Sequence, residues 1–587
     1  MRQRGFRSSS VGRIALLGLA SAACVAVTQT VAQAASDKIA VPARERAGFE
    51  AIQESHLRAN LSFVASDALA GRLSLQPGDG VAVEWIASEF AKVGLTPAAV
   101  DASGKPSFLQ PLDLIEYKPD RSAGTVTLSR GADANLIWHA PEVLGAYKND
   151  VDVTAPVVFA GFGITAPELG YDDYKDIDAK GKIVLVFDHE PQETDSKSIF
   201  NGTGNTRYAT SRVKLLNAQA HGALAVLLVA EPNRKHMTNA ERSAKIGGSV
   251  TRASPLLLQA LKDDELHIPL ITVVDAVAAR LLATAGTSPS VLQAAIDKDL
   301  TPQSRALADT NVSIHLKNSS RSVGTTWNVA GLLQGSDPAL AAETILISAH
   351  HDHDGESPSA GAPGSDGKPA MEIWHGADDN GSGTVGVVEL AHAFAANQEK
   401  PKRSILFVVF ASEERGLLGA YWMAAHPLRP LAGTRAMVNF DMIGRNEMAS
   451  PQTDGLIEIP ADTTNRLNLI GALYSPDYDR VVKEENKRIG LILDDRFDHE
   501  SALNVFFRSD QFPFVLKDVP AFWWFTGFHP DYHHTTDTAE KINYVKMAKI
   551  LRLAYLSAWN FGDSKRVPEF VANPGAPGNK KTGSKEN

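Results

Sequence analysis

Five short stretches in the second half of the chain carry histidine and carboxylate side chains of the kinds that bind metal ions. In chain order they contain His350, Asp378–Asp379, Glu413–Glu414, Asp441 and the histidines from His529 to His534. Each stretch alone has an ordinary explanation, because aspartates cap helices, paired glutamates occupy solvated turns, and short motifs often match by chance. Their coincidence in one region indicates a shared metal site.

Four of these stretches follow an apolar run of the kind that forms a buried strand. The runs "ETILISA", "SILFVVFA", "TRAMVNF" and "PAFWWFTG" precede His350, Glu413, Asp441 and His529, respectively. The remaining stretch, Asp378–Asp379, stands before a predicted helix, where carboxylates favour the positive end of the dipole. In open α/β sheets the functional crevice lies outside the carboxyl ends of the strands. We therefore expect all five stretches to meet at one edge of a sheet.

The charge of such a site favours two metal ions. Two divalent cations bring four positive charges, which three carboxylates and one hydroxide balance, as in two-metal hydrolytic centres. Cys24, the only cysteine of the chain, lies before the expected signal-peptide cleavage site, so the mature protein would have no thiolate ligand, and histidine and carboxylate must hold any metal. Nitrogen and oxygen ligands fit zinc, although manganese or cobalt could occupy the same geometry. The sequence thus predicts a centre with two Zn²⁺ ions.

The composition is that of a folded protein with more than one domain. A chain of 587 residues is too long to fold around one ordinary hydrophobic core. Hydrophobic residues make up 44% and charged residues 21% of the chain, both close to the averages of globular proteins. The formal charge is 58 − 68 = −10. Because the chain also lacks a basic stripe, nucleic acid is excluded as a partner. The oligomeric state is left open.

The N-terminus has the features of an export signal. Arginines precede an uncharged stretch from Ile14 to Ser36, and Ala32-Gln33-Ala34 offers small residues at the spacing of a cleavage site. Polar residues interrupt the apolar run before it reaches about 18 residues, which favours cleavage over a membrane anchor. We therefore expect a signal peptide over residues 1–34, a periplasmic or secreted mature protein starting at Ala35, and no stable membrane insertion. Lipidation of the single cysteine is the minor alternative.

The pattern of apolar residues changes several times along the rest of the chain. Apolar spacing from Ala47 to Val93 predicts two helices around the loop "DALAGRLSLQPGDG". Short apolar runs such as "APVVFAGFGI", "GKIVLVFDH" and "ALAVLLVAEP" then predict a β-rich module with one helix inside "RYATSRVKLLNAQAHG". We expect the chain to return to strands alternating with helices near Val312. The last stretch, from Val567, has too few apolar residues to pack and predicts a mobile tail.

The motifs resemble those of a known family. In this order, "SAHHDHDG", "GADDNGSG", "ASEERGLLG", "VNFDMIG" and "DYHHTTDT" are similar to the zinc-dependent aminopeptidases related to glutamate carboxypeptidase and the inactive transferrin receptor. The segment from His56 to Pro97 resembles the start of the larger members. The stretches "YDDYKDIDAKGKIVLVFDHEP" and "NAQAHGALAVLLV" resemble the protease-associated domain that many members carry as an insertion.

The resemblance implies a ligand set. His350 and Asp441 would hold one zinc ion, Glu414 and His533 the other, and Asp379 would bridge the two. In the family's pattern the last histidine ligand lies four residues before the aspartate of "DT", and that position is His533.

The resemblance also implies roles for two residues that do not bind metal. Glu413 would be the general base, since a free carboxylate beside a ligand carboxylate can take a proton from water. Asp352 would orient the imidazole of His350. His534 is the fallback for the last ligand, and we expect His351, His353 and Asp354 to be loop residues.

The implied fold is α/β, with a mostly parallel mixed sheet flanked by helices and an inserted β-rich protease-associated domain. We expect residues 35–140 to form the N-terminal part of the peptidase domain and residues 141–300 the insertion. The catalytic domain would cover residues 301–565, and the flexible tail residues 566–587.

The segments around the motifs predict a substrate cleft. Glu356–Trp374 is rich in Gly, Pro and Ser and predicts a flap, while Arg508, Ser509 and Asp510 either shape the cleft or form a structural Arg–Asp pair. The leading hypothesis is an exported aminopeptidase acting on peptides. A carboxypeptidase of the same family is the nearest alternative, because pockets rather than metals set specificity. A glutaminyl cyclase and a non-catalytic receptor-like protein are weaker ones.

Overall fold

The structure is a computed structural model and describes residues 41–131, 135–238, 241, 252, 255–359, 369–500, 503–572 and 574. The predicted signal peptide and the cleavage site before Ala35 lie outside the described residues. None of the helices in the described part has the length and apolar character needed to cross a bilayer.

In the described part of the chain, α-helices lie before the first strand, after the last strand and between strands. They are α1 (Ala43–Ala51), α2 (Glu54–Val64), α3 (Pro77–Lys92), α4 (Ser211–Ala220), α5 (Asp275–Ala283), α6 (Pro289–Asp299), α7 (Gly383–Ala396), α8 (Leu418–Ala425), α9 (Pro476–Ile489), α10 (Phe512–Val515) and α11 (Tyr544–Asp563).

The larger sheet contains the four apolar runs that the sequence marks as strands. Its members are β1 (Thr96–Pro97), β4 (Leu109–Pro119), β13 (Leu258–Leu261), β16 (Asn318–Leu333), β17 (Thr344–His350), β20 (Ser404–Phe410), β21 (Thr434–Phe440), β22 (Arg466–Ile470), β23 (Ile492–Asp494) and β24 (Ala521–Phe525). The order is β13-β4-β16-β20-β17-β21-β24-β22-β23, with β1 beside β16. The central strands β20, β17, β21 and β24 are mutually parallel.

Burial explains why these central strands are apolar at every position. Ile345 and Ile347 of β17 pack into one hydrophobic core, on the side of α1, α2, α7 and α11, whereas Leu346 packs into a second core on the other face. Strands covered on both faces read as continuous hydrophobic runs, as parallel strands in α/β proteins do. The predicted α/β class, with a mostly parallel mixed sheet between helices, is therefore confirmed.

A second sheet carries the β-rich module. Its strands are β5 (Thr125–Arg130), β6 (Leu136–Trp138), β7 (Val143–Gly145), β8 (Val151–Phe159), β11 (Ile183–Phe187), β12 (Ala225–Val229), β14 (Leu270–Val273) and β15 (Arg305–Leu316), in the order β6-β5-β15-β8-β11-β12-β14-β7. Three short ribbons complete the strands: β2 (Ala99–Val100) with β3 (Pro106–Ser107), β9 (Thr165–Ala166) with β10 (Tyr171–Asp172), and β18 (Glu356–Pro358) with β19 (Met371–Ile373).

The expected return of the chain near Val312 is wrong. Val312 lies in β15, opposite Leu128 of β5 and Ala155 of β8, so it belongs to the second sheet. Its side chain is buried with Ile314 in the core of that sheet, which is why its apolar alternation reads as a strand. The chain returns to the larger sheet in the next strand, β16. The domain boundaries remain a proposal. The pairing of β5 with β15 favours an inserted module that extends beyond residues 141–300 at both ends.

Two other expectations concern segments near the surface. The expected flap begins and ends in the ribbon β18–β19, and its residues 360–368 lie outside the described part. The predicted mobile tail begins with packed residues, because the Phe570 ring stacks on Tyr474 with centroids 5.4 Å apart. The amide of Val571 also donates to the Tyr474 carbonyl, at 2.8 Å.

Candidate metal centre

Parallel strands bring the predicted residues to one edge of the larger sheet. His350 is the last residue of β17 and lies opposite Phe410, the last residue of β20, which Glu413 follows three residues later. Asp441 follows directly after β21. This edge therefore collects side chains from separate segments, as the sequence predicts.

The first group of side chains surrounds His350. Its Nε2 atom lies 3.7 Å from a carboxylate oxygen of each of Asp379, Glu413 and Asp441. All four side chains are buried. Nε2 finds no hydrogen-bond partner among the described residues. A buried imidazole nitrogen that faces three carboxylates without a hydrogen bond fits a metal ligand, because buried polar atoms are otherwise paired.

The second group surrounds His533. Its Nε2 atom lies 3.0 Å from Oδ2 of Asp379 and 3.3 Å from Oε2 of Glu414. The other oxygen of Asp379, Oδ1, is the one that faces His350. Asp379 therefore stands between the two histidines with one oxygen toward each. His534, the fallback ligand, is only half-buried and forms a turn through its amide, which donates to the Asp531 carbonyl.

Asp352 contacts the glutamate pair more closely than it contacts the imidazole it was expected to orient. Its carboxylate accepts the backbone N–H groups of Glu413 at 2.9 Å and Glu414 at 3.3 Å. The Nδ1 atom of His350 lies 3.2 Å from the Asp352 carbonyl oxygen and 3.7 Å from its carboxylate. Asp352 thus joins the end of β17 to the turn after β20.

Asp537 and Ser509 hold two of the carboxylates. One oxygen of Asp537 accepts the backbone N–H groups of Asp378 at 2.9 Å and Asp379 at 3.1 Å. Ser509 donates its hydroxyl to Asp441 at 2.6 Å. Ser509, expected only as a cleft residue, therefore supports a candidate ligand directly.

The histidines after His350 lie in the loop that follows β17, as expected, and both are buried and paired. Nδ1 of His351 lies 2.7 Å from Asp79, and Nδ1 of His353 lies 2.7 Å from Glu414. Asp354 pairs with Arg415, and its other oxygen lies 3.5 Å from Nδ1 of His533. His353 therefore belongs to the site. Its position one residue after the H-x-D pattern was the only available signal.

Arg72 is a second member that sequence reasoning missed. Its guanidinium is buried and donates to four backbone carbonyls, those of Val64, His351, His375 and Gly376, at 2.7 to 2.9 Å. Two of these carbonyls lie beside the candidate ligands of "SAHHDHDG" and "GADDNGSG". Only a planar donor with several N–H groups can hold so many carbonyls at once. The available signal was the arginine in "ALAGRL".

The two adjacent glutamates have opposite electrostatic surroundings. Burial raises the pKa of Glu413 well above its usual value, and the charge of Asp441 adds to this while His350 opposes it. Burial acts in the same direction on Glu414, but the imidazoles of His533 and His353 outweigh it and hold the pKa well below its usual value. A charged Glu414 can serve as a ligand for a metal cation, whereas Glu413 readily accepts a proton.

A cleft opens beside these side chains. A small cavity of about 20 Å³ is lined by Glu413, Glu414 and Arg508, with aromatic walls from Trp523, Phe528 and Tyr532. Arg508 donates to the Tyr532 hydroxyl at 3.2 Å and lies 5.4 Å from the Phe528 ring.

A larger cavity of about 1320 Å³ adjoins Arg508. It is bounded by Leu417 and Phe507 on one side and by residues of the second sheet such as Thr272 on the other.

Asp510, the third residue expected in the cleft, is fully buried, and burial raises its pKa well above the usual value.

Two family models match the chain over these regions. Residues 328–557 match the model of peptidase family M28, and residues 153–279 match that of the PA domain. These two matches, to a peptidase of family M28 and to a PA domain, confirm the resemblance seen in the motifs.

Individual relatives match shorter parts. The chain is 25% identical over 240 residues to leucine aminopeptidase 2 of Arthroderma otae, covering 37% of this chain and 41% of that protein. It is 38% identical over 112 residues to a probable zinc metalloprotease of Pyrenophora teres f. teres, covering 17% and 24%. The chain thus spans less than half the length of these curated relatives.

Solved structures match over a longer span at lower identity. An aminopeptidase from Aneurinibacillus sp. strain AM-1 is 17% identical with a TM-score of 0.46, covering 90% of this chain and 98% of that chain. The zinc aminopeptidase of Bacillus subtilis is 18% identical with a TM-score of 0.40, covering 88% and 96%.

Proposed function

We propose that this protein is an exported metallo-aminopeptidase with two zinc ions. The observation that carries the proposal is the position of Asp379, whose two oxygens lie 3.7 Å from His350 and 3.0 Å from His533. One carboxylate between two separate groups of ligands is the arrangement that a two-metal hydrolytic centre requires. His350 and Asp441 would hold one ion, Glu414 and His533 would hold the other, and Asp379 would contribute an oxygen to each.

The donor set suits zinc. Imidazole nitrogens and carboxylate oxygens without thiolates are the ligands of catalytic zinc sites. The unpaired buried Nε2 atoms of His350 and His533 are consistent with ligands that face a cation. When bound, the two ions polarise the scissile carbonyl group and lower the pKa of a water molecule.

Glu413 is the proposed general base. It lies beside the first group, at 3.7 Å from His350, and its backbone is held by Asp352. Its carboxylate takes a proton from the attacking water and passes it to the departing amine. Glu414, one residue later, keeps its charge because His533 and His353 surround it.

The polarity of cleavage rests on the relatives. Leucine aminopeptidase 2 and the zinc aminopeptidase of Bacillus subtilis carry that activity in their names. By this likeness a peptide enters with its free α-amine nearest the metals, and the rest of the chain extends into the larger cavity.

Three forms of one leucyl tripeptide test this proposal: one with both ends free, one N-acetylated and one C-amidated. We expect release of the N-terminal residue from the free and C-amidated forms, and no cleavage of the N-acetylated form. The Glu413→Gln variant, purified in the same way, controls for contaminating peptidases. Release of the C-terminal residue from the N-acetylated form indicates a carboxypeptidase. Zinc-loaded protein that cuts none of the three indicates a binding protein.

A further inference from the structure

A second group of histidines and carboxylates lies in the β-rich module. The parallel strands β11 and β12 pair with Phe187 opposite Val229, their last residues. The segment "DHEPQE" follows β11 and the segment "EPNRKH" follows β12. Adjacent parallel strands thus deliver His189 and Glu193 from one segment, and Glu231 and His236 from the other, to the same edge.

These four side chains converge closely. Nε2 of His236 lies 2.6 Å from Glu193 Oε2 and 2.9 Å from Glu231 Oε1. Nδ1 of His189 lies 3.2 Å from Glu231 Oε2. The centroids of the two imidazole rings are 4.2 Å apart. One donor atom from each of His189, Glu193 and His236 lies within 4.8 Å of the other two, which is close enough for one ion to contact all three.

The group is buried, and two of its oxygens lack a hydrogen bond. The side chains of His189, Glu193, Glu231 and His236 are 1%, 9%, 2% and 6% exposed, respectively. Glu193 Oε1 and Glu231 Oε1 receive no hydrogen bond from any residue that the structure describes. Buried carboxylate oxygens are normally paired. Glu231 Oε1 has the imidazole of His236 at 2.9 Å, so Glu193 Oε1 is the oxygen that needs another partner. A cation between the imidazoles and the carboxylates supplies one.

The outer nitrogens of the imidazoles are also engaged. Nδ1 of His236 lies 2.7 Å from the Met237 carbonyl oxygen, which leaves Nε2 to face the carboxylates. This is the outer contact that metal-binding histidines make to fix their tautomer. Nε2 of His189 lies 3.1 Å from the side-chain nitrogen of Asn504, whose side-chain oxygen accepts from the Asn205 amide at 3.2 Å.

We propose that His189, Glu193, Glu231 and His236 form a structural zinc site in the β-rich module. His189, Glu193 and His236 supply three donors within 4.8 Å of one another, and Glu231, which lies 3.2 Å and 2.9 Å from the two imidazoles, would complete the four ligands that structural zinc takes. Two carboxylates also balance the charge of one divalent ion. Bound zinc ties the segments after β11 and β12 together. The proposal concerns residues outside the M28 match and does not rest on the proposed peptidase function.

The competing explanation is a network of proton-mediated ion pairs. Burial lowers the pKa of His236, but Glu193 and Glu231 outweigh it and raise the pKa to about 10. Without metal, His236 is therefore protonated at neutral pH and pairs with both carboxylates. Zinc must displace that proton, so binding releases protons and strengthens as pH rises.

Zinc content of the full chain distinguishes the two explanations. Wild-type protein and the variants His236→Asn and His189→Asn are saturated with zinc, passed through gel filtration and analysed by mass spectrometry of the metal. We expect each variant to hold one zinc ion fewer per chain than the wild type, with cleavage of the leucyl tripeptide retained. His267→Asn, an exposed histidine of the same module, is the matched control and should lose none.

A measurement on the wild type avoids dependence on variants that fail to fold. Crystals of the full chain grown with zinc should show an anomalous peak at the zinc edge between His189 and His236. Equal zinc content in wild type and both variants overturns the proposal, and so does the absence of that peak. Loss of peptidase activity with the peak retained leaves this site standing and removes the proposed function.

Discussion

Neighbouring side chains, rather than position in the chain, give Glu413 and Glu414 different chemistry. The two are adjacent, and both are buried or nearly so. Burial raises the pKa of Glu413, and the charge of Asp441 adds to this against the opposing effect of His350. Glu414 contacts two imidazoles, those of His533 and His353, which hold its pKa low. The same substitution should therefore have different consequences at the two positions.

Replacing each glutamate by glutamine separates catalysis from metal binding. In Glu413→Gln the side chain keeps its size but cannot accept a proton, so kcat should fall by about 10²–10⁴ with zinc content preserved. In Glu414→Gln a neutral ligand replaces a charged one, so zinc should be lost first and excess zinc should restore part of the activity. Metal content and turnover are measured together at one pH. If the Glu413 variant loses zinc and the Glu414 variant keeps it, the two roles are exchanged.

Asp379 should be the most sensitive ligand. Because its two oxygens face both histidines, Asp379→Ala should lower the occupancy of both zinc positions. His350→Ala and His533→Ala each remove a ligand from only one group and serve as comparisons. Equilibrium dialysis against zinc measures the number of ions retained. Two tightly held ions in Asp379→Ala would contradict the bridging role.

At the scale of elements, a segment far away in the chain stabilises the loops that carry the ligands. Arg72 follows α2 and donates to carbonyls of residues after β17 and before α7. Burial lowers the pKa of Arg72 to about 10, although nearby aspartates, Asp352 first among them, oppose this. The guanidinium thus remains charged at neutral pH and holds the two loops against α2.

Arg72→Lys tests this arrangement. A lysine ammonium has three N–H donors on one nitrogen, so at least one of the four carbonyls is left unpaired. A buried unpaired acceptor costs about 1–3 kcal/mol, so the free energy of unfolding should fall by at least that range. Urea unfolding measures it, with the exposed Arg121→Lys as control. Zinc affinity should fall in the same variant. Unchanged stability and affinity would show that the four bonds contribute nothing.

The ribbon β9–β10 makes the stability of the β-rich module depend on pH. Asp173, next to β10, is buried and accepts the N–H groups of Phe162 at 3.0 Å and Ile164 at 3.1 Å. Burial raises its pKa to about 7, against the effect of these hydrogen bonds. Between the ordinary aspartate pKa and about 7, the folded protein holds a proton that the unfolded chain has released. Stability from this group should therefore fall as pH rises through that window.

Asp173→Asn removes the titration while keeping an oxygen that accepts from the two amides. Between about pH 5 and pH 7.5, the window that the pKa shift defines, the urea concentration at the unfolding midpoint should fall less for this variant than for the wild type. Asp176→Asn, an exposed neighbour, should behave like the wild type. A pH slope in Asp173→Asn equal to that of the wild type would exclude Asp173 as its source.

At the scale of the whole molecule, the two sheets share a chain that crosses between them more than once. β4 and β5 are consecutive in sequence but belong to different sheets, and β13 returns from the β-rich module to pair with β4. The larger cavity lies between residues of the second sheet, such as Thr272, and the segments that carry Leu417 and Phe507, beside Arg508. The module is thus positioned to bound the approach of a peptide to the proposed metal centre.

The N-terminal sequence supports a separate prediction, that the whole protein is exported. The small residues Ala32 and Ala34 fit a signal-peptidase site, so the mature protein should begin at Ala35. N-terminal sequencing of protein recovered outside the cytoplasm checks this. Ala34→Arg should block cleavage and leave a longer chain, whereas Gln33→Asn should not. Mature protein that keeps residues 1–34 would contradict the assignment.

The sequence by itself determined the elements and the chemistry of the candidate centre. Continuous apolar runs before His350, Glu413 and Asp441 marked the central strands, because burial on both faces leaves no polar position. The strand ends then brought the candidate ligands together, since carboxyl ends of parallel strands share an edge. Both inferences depend on local pattern and on one topological rule. They therefore needed no knowledge of distant contacts.

Only the tertiary structure decided which segments pair across the chain. Val312 reads as a strand in the sequence, but its membership of the second sheet depends on Leu128, far away in the chain. The hydrogen bond from Arg72 to the carbonyl of His375 and the contact between His189 and His236 likewise join residues that are far apart in the sequence. Hydrogen bonds and ion pairs join atoms that folding brings within about 3 Å, and their partners leave no periodicity in the sequence. Long-range pairing is therefore visible only after the chain has packed.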